Sequence, residues 1–357
     1  MIYVLKIDIL FTEIDMENNL ITIVPFFRCN LNCTFCYNKN VKYIKDVLNL
    51  NNIRKTVYEE MDKIDGEIIV KIYGGEIFAD FIDDEYYNEL KKFLLDIKNY
   101  KENVKFAFIT NLVHIKTDRW IELLSLLNNV NLSVSFDLVG RFNKETFDIF
   151  EKNWNQYEKY IKDIMITMTK SNILSFLNKD HPEFEQKMID FLNDKLKNPN
   201  VCLNFIDYVS SEDKDDEVVS EDLRYDFYRF LYDNYRKCNV LEQLIMIANG
   251  ERISGKLCSE KTGIMPDGKY YNICTLSSIN NLIGKKDEEY ETKKKQLKLL
   301  MNVKMGCLKC EYYTSCPSSC PMSIRSIKCS DNCYIKRMIE FIKEDIDENT
   351  NINKSNL

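Results

Sequence analysis

Short apolar runs alternate with longer amphipathic segments through the first two thirds of the chain. Six runs rich in β-branched and aromatic residues predict buried strands over 20–26, 67–73, 103–109, 131–137, 163–169 and 200–206. Apolar residues recur at helical spacing over 51–64, 85–100, 118–129, 182–198 and 223–237. Strands that are apolar nearly throughout and that alternate with helices are typical of a parallel sheet covered by helices.

This alternation predicts an α/β fold in which six strand and helix repeats, joined by right-handed crossovers, form an open, partial (βα)6 barrel. A standard barrel closes with eight repeats, so six fall short of closure. We expect five regions, namely an N-terminal extension (1–19), the partial barrel (20–212), a helical bridge (213–256), a small cysteine-rich C-terminal domain (257–345) and a polar tail (346–357). Bound metal is expected to hold the C-terminal domain together, because its turn-rich segments contain too little apolar material to fold by burial alone.

Charge and composition narrow the classes of partner. The net charge of the 357-residue chain is -7, so it has no broad basic field for a nucleic-acid backbone, and we expect no nucleic-acid partner. Charged residues interrupt the apolar positions of 1–15, which therefore fit neither a signal peptide nor a membrane span. We expect a cytoplasmic protein without a membrane partner.

Eleven of the 13 cysteines fall in two groups. Three of them follow the first predicted strand, and eight lie near the end of the chain: Cys258, Cys274, Cys307, Cys310, Cys316, Cys320, Cys329 and Cys333. Because the chain is neither short nor visibly exported, metal ligation is favoured over a disulfide scaffold. Cys202 and Cys238 stand apart, and we expect them to act as small buried hydrophobes.

The first group has the spacing Cys29-x-x-x-Cys33-x-x-Cys36, with Phe35 before the third cysteine. A cubane of four irons needs one ligand per iron, so three thiolates leave one iron open. A zinc knuckle is the alternative, but it needs a fourth Cys or His, and no histidine lies nearby in the sequence. The motif resembles that of radical S-adenosylmethionine (SAM) enzymes. The resemblance implies a [4Fe-4S] cluster that binds SAM and reductively splits it to a 5'-deoxyadenosyl radical, which abstracts hydrogen.

Two strand ends add to this resemblance. The second predicted strand ends in Gly74, Gly75 and Glu76, which look like the family's site for the amino group of SAM. Paired glycines let a backbone approach a small molecule closely, and a glutamate accepts hydrogen bonds from an ammonium group. Asn111, at the end of the third strand, resembles the family's Thr-Asn pair, although Leu112 stands where a glycine often follows.

The fourth and fifth strands supply further candidates. The resemblance implies that Ser135 helps to hold SAM and that Arg141 pairs with its carboxylate, while a surface arginine is the alternative for Arg141. Asp137 and Thr169 are candidate cavity residues with no catalytic role assigned. The residues expected to bind SAM are Phe35, Gly74, Gly75, Glu76, Asn111, Ser135 and Arg141.

The C-terminal run Cys307-x-x-Cys310-x5-Cys316-x3-Cys320 is similar to the SPASM extension of radical SAM enzymes, which carries two auxiliary [4Fe-4S] clusters. The resemblance implies three clusters in this chain. The ligands implied for the first auxiliary cluster are Cys258, Cys274 and Cys320, and those for the second are Cys307, Cys310 and Cys316 with either Cys329 or Cys333. The fourth ligand of the first auxiliary cluster is left open: it is Cys238 or the spare member of the pair Cys329 and Cys333, or one iron of this cluster has no protein ligand. Zinc ribbons are the alternative for this region.

SPASM enzymes most often oxidise peptide or protein side chains, so we expect a peptide maturase that forms thioether or carbon-carbon crosslinks. Formylglycine formation in sulfatases is the first alternative, although that branch has an aspartate where Thr275 stands. The others are a dehydrogenase of a small substrate and a non-catalytic iron-sulfur electron relay. The expected partners are a peptide or protein substrate and an electron donor of the flavodoxin or ferredoxin type. Because 28 residues precede Cys29, a separate leader-binding protein is a further candidate.

Overall fold

A computed structural model of the chain describes residues 19–36, 46–208, 216–235, 238–251, 262–272, 309–312, 316 and 333–355. Within this part, eight strands form one open sheet in the order β6-β5-β4-β3-β2-β1-β7-β8. The strands are β1 (Leu20–Ile23), β2 (Ile68–Ile72), β3 (Val104–Thr110), β4 (Val130–Ser135), β5 (Ile161–Met168), β6 (Cys202–Asp207), β7 (Thr262–Ile264) and β8 (Tyr270–Asn272). The first seven pair in parallel, and β8 runs antiparallel to β7. The six predicted strands and the open, partial barrel are confirmed.

Helices connect the parallel strands. In the described residues they are α1 (Leu50–Asp62), α2 (Asp84–Tyr100), α3 (Thr117–Leu127), α4 (Lys144–Tyr157), α5 (Lys170–Leu177), α6 (Glu183–Lys195), α7 (Glu221–Asn234), α8 (Asn239–Ala248) and α9 (Tyr334–Ser355). Local sequence determines several starts: Asn49 caps α1, and Asn143 forms a reciprocal capping box with Thr146 at α4. None of the described helices is long and apolar enough to cross a membrane.

The core lies between the sheet and these helices. Phe136 follows β4 and contacts Phe150 of α4 and Phe191 of α6, at ring-centroid distances of 5.7 and 6.2 Å. Trp154 packs edge-on against the same Phe191 at 5.4 Å. Cys238 is fully buried beside Leu203 of β6, and burial raises the pKa of its thiol to about 12. This environment is that of a small buried hydrophobe, as expected for Cys238.

The β7-β8 hairpin lies within the region assigned to the cysteine-rich domain, yet it extends the barrel sheet. Ile264 of β7 pairs with Ile23, and its carbonyl accepts a hydrogen bond from Val24 at 2.8 Å. A turn at 266–268 joins the two strands, and Gly268 has a φ of +76°. Three-residue strands are too short for a periodic pattern, so the sequence did not reveal this pairing. As a result, β1 lies inside the sheet with a parallel neighbour on each side.

Helix α9 follows directly after Cys333 and packs against α7. Tyr334 lies 5.1 Å from the ring of Tyr228, and its backbone N–H donates to Glu221 at 2.8 Å. Further along both helices, the hydroxyl of Tyr232 in α7 donates to Asp345 of α9 at 2.9 Å. The helix continues to Ser355, through much of the segment 346–357 that the sequence marked as a polar tail.

Candidate functional site

The three cysteines of the first group lie on one loop, residues 28–36, here called the cysteine loop. It follows β1 at the edge of the sheet where parallel strands end. The thiol of Cys33 is buried and those of Cys29 and Cys36 are half-buried, and all three are free of disulfides. Two contacts shape the loop: Cys36 N–H donates to the carbonyl of Cys33 at 3.3 Å, and Leu31 N–H donates to Cys29 Sγ at 3.5 Å.

Gly74 and Gly75 bring the end of β2 against this loop. Gly75 N–H donates to the carbonyl of Phe26 at 2.9 Å, and Glu76 N–H donates to that of Arg28 at 3.0 Å. A Cβ atom on Gly75 would lie 1.6 Å from the Arg28 carbonyl oxygen, and one on Gly74 would lie 2.4 Å from that of Phe26. The glycines therefore allow a close approach of two backbones. The approach to a small molecule that the sequence suggested stays a prediction.

Glu76 is buried, with its carboxylate directed at the end of β3. Its Oε1 accepts from Thr110 Oγ1 at 2.7 Å and from Phe78 N–H at 3.0 Å, and its Oε2 accepts from Asn111 N–H at 2.6 Å. Burial raises its pKa to about 7, although these hydrogen bonds and the charge of Arg141 act in the opposite direction. A carboxylate has about four acceptor positions, so Oε2 keeps capacity for a further donor. An ammonium group bound there would favour the charged carboxylate.

Asn111 links Glu76 to the cysteine loop. Its Nδ2 donates to Asn30 Oδ1 at 2.9 Å and lies 3.8 Å from Cys29 Sγ. The next residue, Leu112, has a φ of 54°, a left-handed conformation that a glycine adopts without strain. It stands where the resemblance implies a glycine, so the backbone conformation persists although the residue differs.

Arg141 comes from the loop after β4 and reaches the same place. Its Nε donates to Asp137 Oδ2 at 2.6 Å, and its guanidinium lies 5.4 Å from the ring centre of Phe35. Burial disfavours its charge, but Asp137 and the thiols of Cys33 and Cys29 outweigh that effect and raise its pKa. The surface alternative for Arg141 does not hold, because its side chain is only 12% exposed. Gly140, with a φ of +81°, packs this loop against the cysteine loop.

The remaining candidates of β4 and β5 differ in their roles. Ser135 is half-buried at the end of β4. Thr169 is buried and caps α5, with its Oγ1 accepting from Asn172 N–H at 3.1 Å. Asp137 is fully buried, and burial raises its pKa against the opposing effect of Arg141. Thr169 and Asp137 thus have structural partners here, and neither has a contact that would define catalysis.

Sequence reasoning did not find Asn30, Gly140 or Asn172, which complete these contacts. Asn172 stands three residues after the capping Thr169, a spacing that indicates a helix start. This spacing does not predict the hydrogen bond from Asn172 to Asp137, which follows β4. Asn30 and Gly140 had no sequence signal of their own.

The three thiols of the cysteine loop match the ligand type of an iron-sulfur cluster. Among the described residues, no group of three His, Cys, Asp or Glu side chains converges as ligands of one ion. A four-iron cluster instead takes each thiolate on a separate iron corner, and three thiols on one loop, beside the buried guanidinium of Arg141, suit that arrangement.

Five of the C-terminal cysteines lie outside the described residues: Cys258, Cys274, Cys307, Cys320 and Cys329. Cys310, Cys316 and Cys333 are half-buried, and the last two pack with Tyr312 against the main hydrophobic core. The hydroxyl of that tyrosine accepts from Lys343 of α9 at 3.1 Å. Cys316 and Cys333 thus lie against the main hydrophobic core, and the ligation implied for the cysteines of this region stays a prediction.

Comparison with known proteins identifies the barrel. Residues 23–186 match the Radical SAM superfamily. The comparison with curated proteins finds no match. Among solved structures, the fold is similar to native anSMEcpe with bound AdoMet and a Cp18Cys peptide, at a TM-score of 0.63 and 17% identity, covering 95% of this chain and 99% of that one. It is also similar to native anSMEcpe with bound AdoMet alone, at a TM-score of 0.64 and 16% identity, covering 91% and 96%. Residues 23–186 therefore match the domain of a superfamily whose members use SAM and a [4Fe-4S] cluster in catalysis.

Proposed function

We propose that this radical SAM domain serves an oxidative modification of a peptide or protein side chain, in the manner of a peptide maturase. The observation that supports the site assignment best is the contact between the cysteine loop and the ends of β2, β3 and β4. Four strand ends that are remote in sequence bring three thiols, a buried carboxylate, an amide and a guanidinium to one edge of the sheet.

In this proposal, Cys29, Cys33 and Cys36 hold the cluster that binds SAM. When bound, the cluster and SAM supply the 5'-deoxyadenosyl radical that abstracts hydrogen from the substrate. Glu76 accepts a hydrogen bond from the amino group of SAM at the remaining position of Oε2. Arg141, helped by Ser135, binds the carboxylate.

The second half of the proposal concerns the electron that an oxidation must remove. We assign two auxiliary [4Fe-4S] clusters to the eight C-terminal cysteines, and an external donor of the flavodoxin or ferredoxin type supplies the electron that starts the reaction. The packing of Cys316 and Cys333 against the main hydrophobic core supports an auxiliary region that lies against the folded body. A cytoplasmic location belongs to the same proposal, because reducing compartments keep such thiols free for ligation.

Formylglycine formation is the second candidate. The similarity to anSMEcpe, an anaerobic sulfatase-maturating enzyme, over nearly the whole of both chains favours it. Thr275 counts against it, because that branch uses an aspartate at this position as its base. Incubation with peptides that carry a sulfatase-type cysteine or serine, followed by mass spectrometry, separates the candidates: an aldehyde product supports formylglycine, and a crosslink in a Cys-rich peptide supports the maturase.

The proposed function is tested with protein reconstituted without oxygen. Dithionite and SAM should yield 5'-deoxyadenosine from the wild type and none from the variant Cys29→Ala, Cys33→Ala, Cys36→Ala. That variant should retain the iron of the auxiliary clusters. A wild type with an intact cluster that forms no 5'-deoxyadenosine would refute the enzyme assignment, and a variant without any iron would refute the assignment of two auxiliary clusters.

A further inference from the structure

The loop that carries Arg141 is held by a chain of hydrogen bonds that begins at the buried Asn172 of α5. Asp137 Oδ1 accepts from Thr167 N–H at 2.7 Å and from Asn172 Nδ2 at 2.9 Å, which leaves Oδ2 for Arg141. Asn172 donates its second Nδ2 hydrogen to the Thr167 carbonyl at 2.9 Å. Its Oδ1 accepts from Val139 N–H at 2.9 Å. Both Nδ2 hydrogens and the Oδ1 atom of Asn172 thus have partners, which lie in the loop after β4 and in β5.

This network fixes both the position and the charge of the guanidinium. Asp137 and Asn172 are 0% and 1% exposed, so water competes little for the hydrogen bonds of their side chains. A buried guanidinium is strongly disfavoured without a counter-charge, and Asp137 provides one. Asp137 is itself held in place, because its Oδ1 accepts hydrogen bonds from Thr167 and Asn172. A movement of Arg141 away from this position would therefore break its ion pair with Asp137.

Arg141 is held in a way that leaves its end available. Among the described residues, its hydrogen-bond partner is Asp137, through Nε alone. The ring of Phe35 lies 5.4 Å from the guanidinium carbon and restricts movement of the plane. The two terminal nitrogens form the fork that binds a carboxylate with two parallel hydrogen bonds.

We propose that Asp137 and Asn172 are positioning residues that hold the Arg141 guanidinium beside the cysteine loop, with its terminal nitrogens ready for the carboxylate of SAM. This inference rests on the proposed function and gives a role to Asp137, which sequence reasoning assigned only to the cavity. Thr169 contributes indirectly, because its Oγ1 holds the backbone of Asn172 at the start of α5. The residues act through Arg141 and do not themselves contact SAM.

The test is the equilibrium affinity of the reconstituted protein for SAM and for decarboxylated SAM, measured by anaerobic dialysis. Asp137→Asn puts an amide NH2 group where only donors face it, and Asn172→Ala removes the grip on Asp137. We expect the Asp137 variant to weaken SAM binding at least about tenfold, the equivalent of one charge-assisted hydrogen bond, and the Asn172 variant to do so about threefold to tenfold. Affinity for decarboxylated SAM should change less than about twofold, because that ligand lacks the group that Arg141 binds.

A double-mutant cycle isolates the coupling. In an Arg141→Met background, the Asp137 and Asn172 substitutions should have no further effect on SAM affinity, because the residue through which they act is absent. The matched controls are Asp163→Asn and Asn204→Ala. That pair is another aspartate held by an asparagine, at 2.8 Å, near the amino ends of β5 and β6 and away from the site. Both controls should bind SAM like the wild type.

Each outcome decides the matter. If Asp137→Asn and Asn172→Ala bind SAM like the wild type, or lose affinity equally for both ligands, the positioning role is wrong. If Asp137→Asn does not fold, Asn172→Ala carries the test alone. A wild type that binds and cleaves SAM while the variants are unaffected refutes the positioning role only, whereas a wild type that does not bind SAM refutes the proposed function and this role with it.

Discussion

Gly75→Ala tests the site most directly, because Gly75 lies where two backbones come closest. The added Cβ would lie 1.6 Å from the carbonyl oxygen of Arg28, 2.4 Å from its carbonyl carbon and 2.8 Å from the carbonyl carbon of Phe27. All three are backbone atoms, so no side-chain rotation relieves the contact. The end of β2 and the cysteine loop must move apart.

The size of the effect follows from what that movement breaks. The hydrogen bonds from Gly75 to Phe26 and from Glu76 to Arg28, at 2.9 and 3.0 Å, are lost. At about 0.5 to 1.5 kcal/mol each, the free energy of unfolding falls by about 1 to 3 kcal/mol. Glu76 moves with its neighbour, away from Asn111, so SAM affinity should fall at least about tenfold, the equivalent of about 1.4 kcal/mol.

Anaerobic thermal unfolding and SAM dialysis of Gly75→Ala and Gly66→Ala measure both effects. Gly66 has a φ of +98° and open space around its Cβ position, so alanine there causes only backbone strain, about 1 to 2 kcal/mol. The two variants should have similar losses of stability, and only Gly75→Ala should lose SAM affinity. If Gly75→Ala binds SAM like Gly66→Ala, the contact between the two backbones does not position Glu76 and the reasoning fails.

Three further predictions follow from single residues. The pKa of Glu76 is raised from 4.5 to about 7 in the fold, so its contribution to stability is full below the unfolded pKa and is lost as the pH rises through 7. Without SAM, the free energy of unfolding of the wild type should fall by about 2 kcal/mol relative to that of Glu76→Gln between pH 5.5 and 7.5. Urea unfolding measures this difference, and parallel pH profiles of the two proteins would contradict it. Leu112 has a φ of 54° and is fully buried. Leu112→Gly should be more stable than Leu112→Ala by about 1 kcal/mol, because glycine relieves the backbone strain. Urea unfolding of the two variants checks this ranking, and the reverse order would disprove it. Met338 of α9 is fully buried, so Met338→Ala should lower the free energy of unfolding by about 2 to 5 kcal/mol. As a control, alanine at the exposed Glu344 should change it by less than about 0.5 kcal/mol. A small loss at Met338 would mean that α9 is not part of the core.

The barrel could be predicted from local pattern because its strands are buried on both faces. Runs such as 67–73 and 103–109 are apolar nearly throughout, and each is followed by a segment of helical spacing, so strand number, order of elements and parallel pairing follow together. The pairing of β7 with β1 could not be predicted. It joins segments about 240 residues apart through two residues of each strand, and such a short pairing has no periodicity of its own.

The candidate site divides in the same way. The cysteine spacing and the residues 74–76 are continuous in sequence, so their resemblance to known motifs was legible without a structure. The steric requirement of the glycines could not be predicted, because it comes from the backbone of 26–28, which the sequence does not place beside them. The two glycines serve one backbone contact, and only the packed strand ends reveal it.

The sequence alone determined which residue types stand at the end of each strand: thiols after β1, glycines and a glutamate after β2, an asparagine after β3, a serine, an aspartate and an arginine at the end of β4 and after it. Tertiary structure decided which of them touch. Arg141 is buried against Phe35 rather than exposed, and Asp137 accepts a hydrogen bond from Asn172 of a later helix. The physical reason is that hydrogen bonds between loops depend on the relative position of strands that pair across the sheet, and that position is a property of the packed core, not of any local segment.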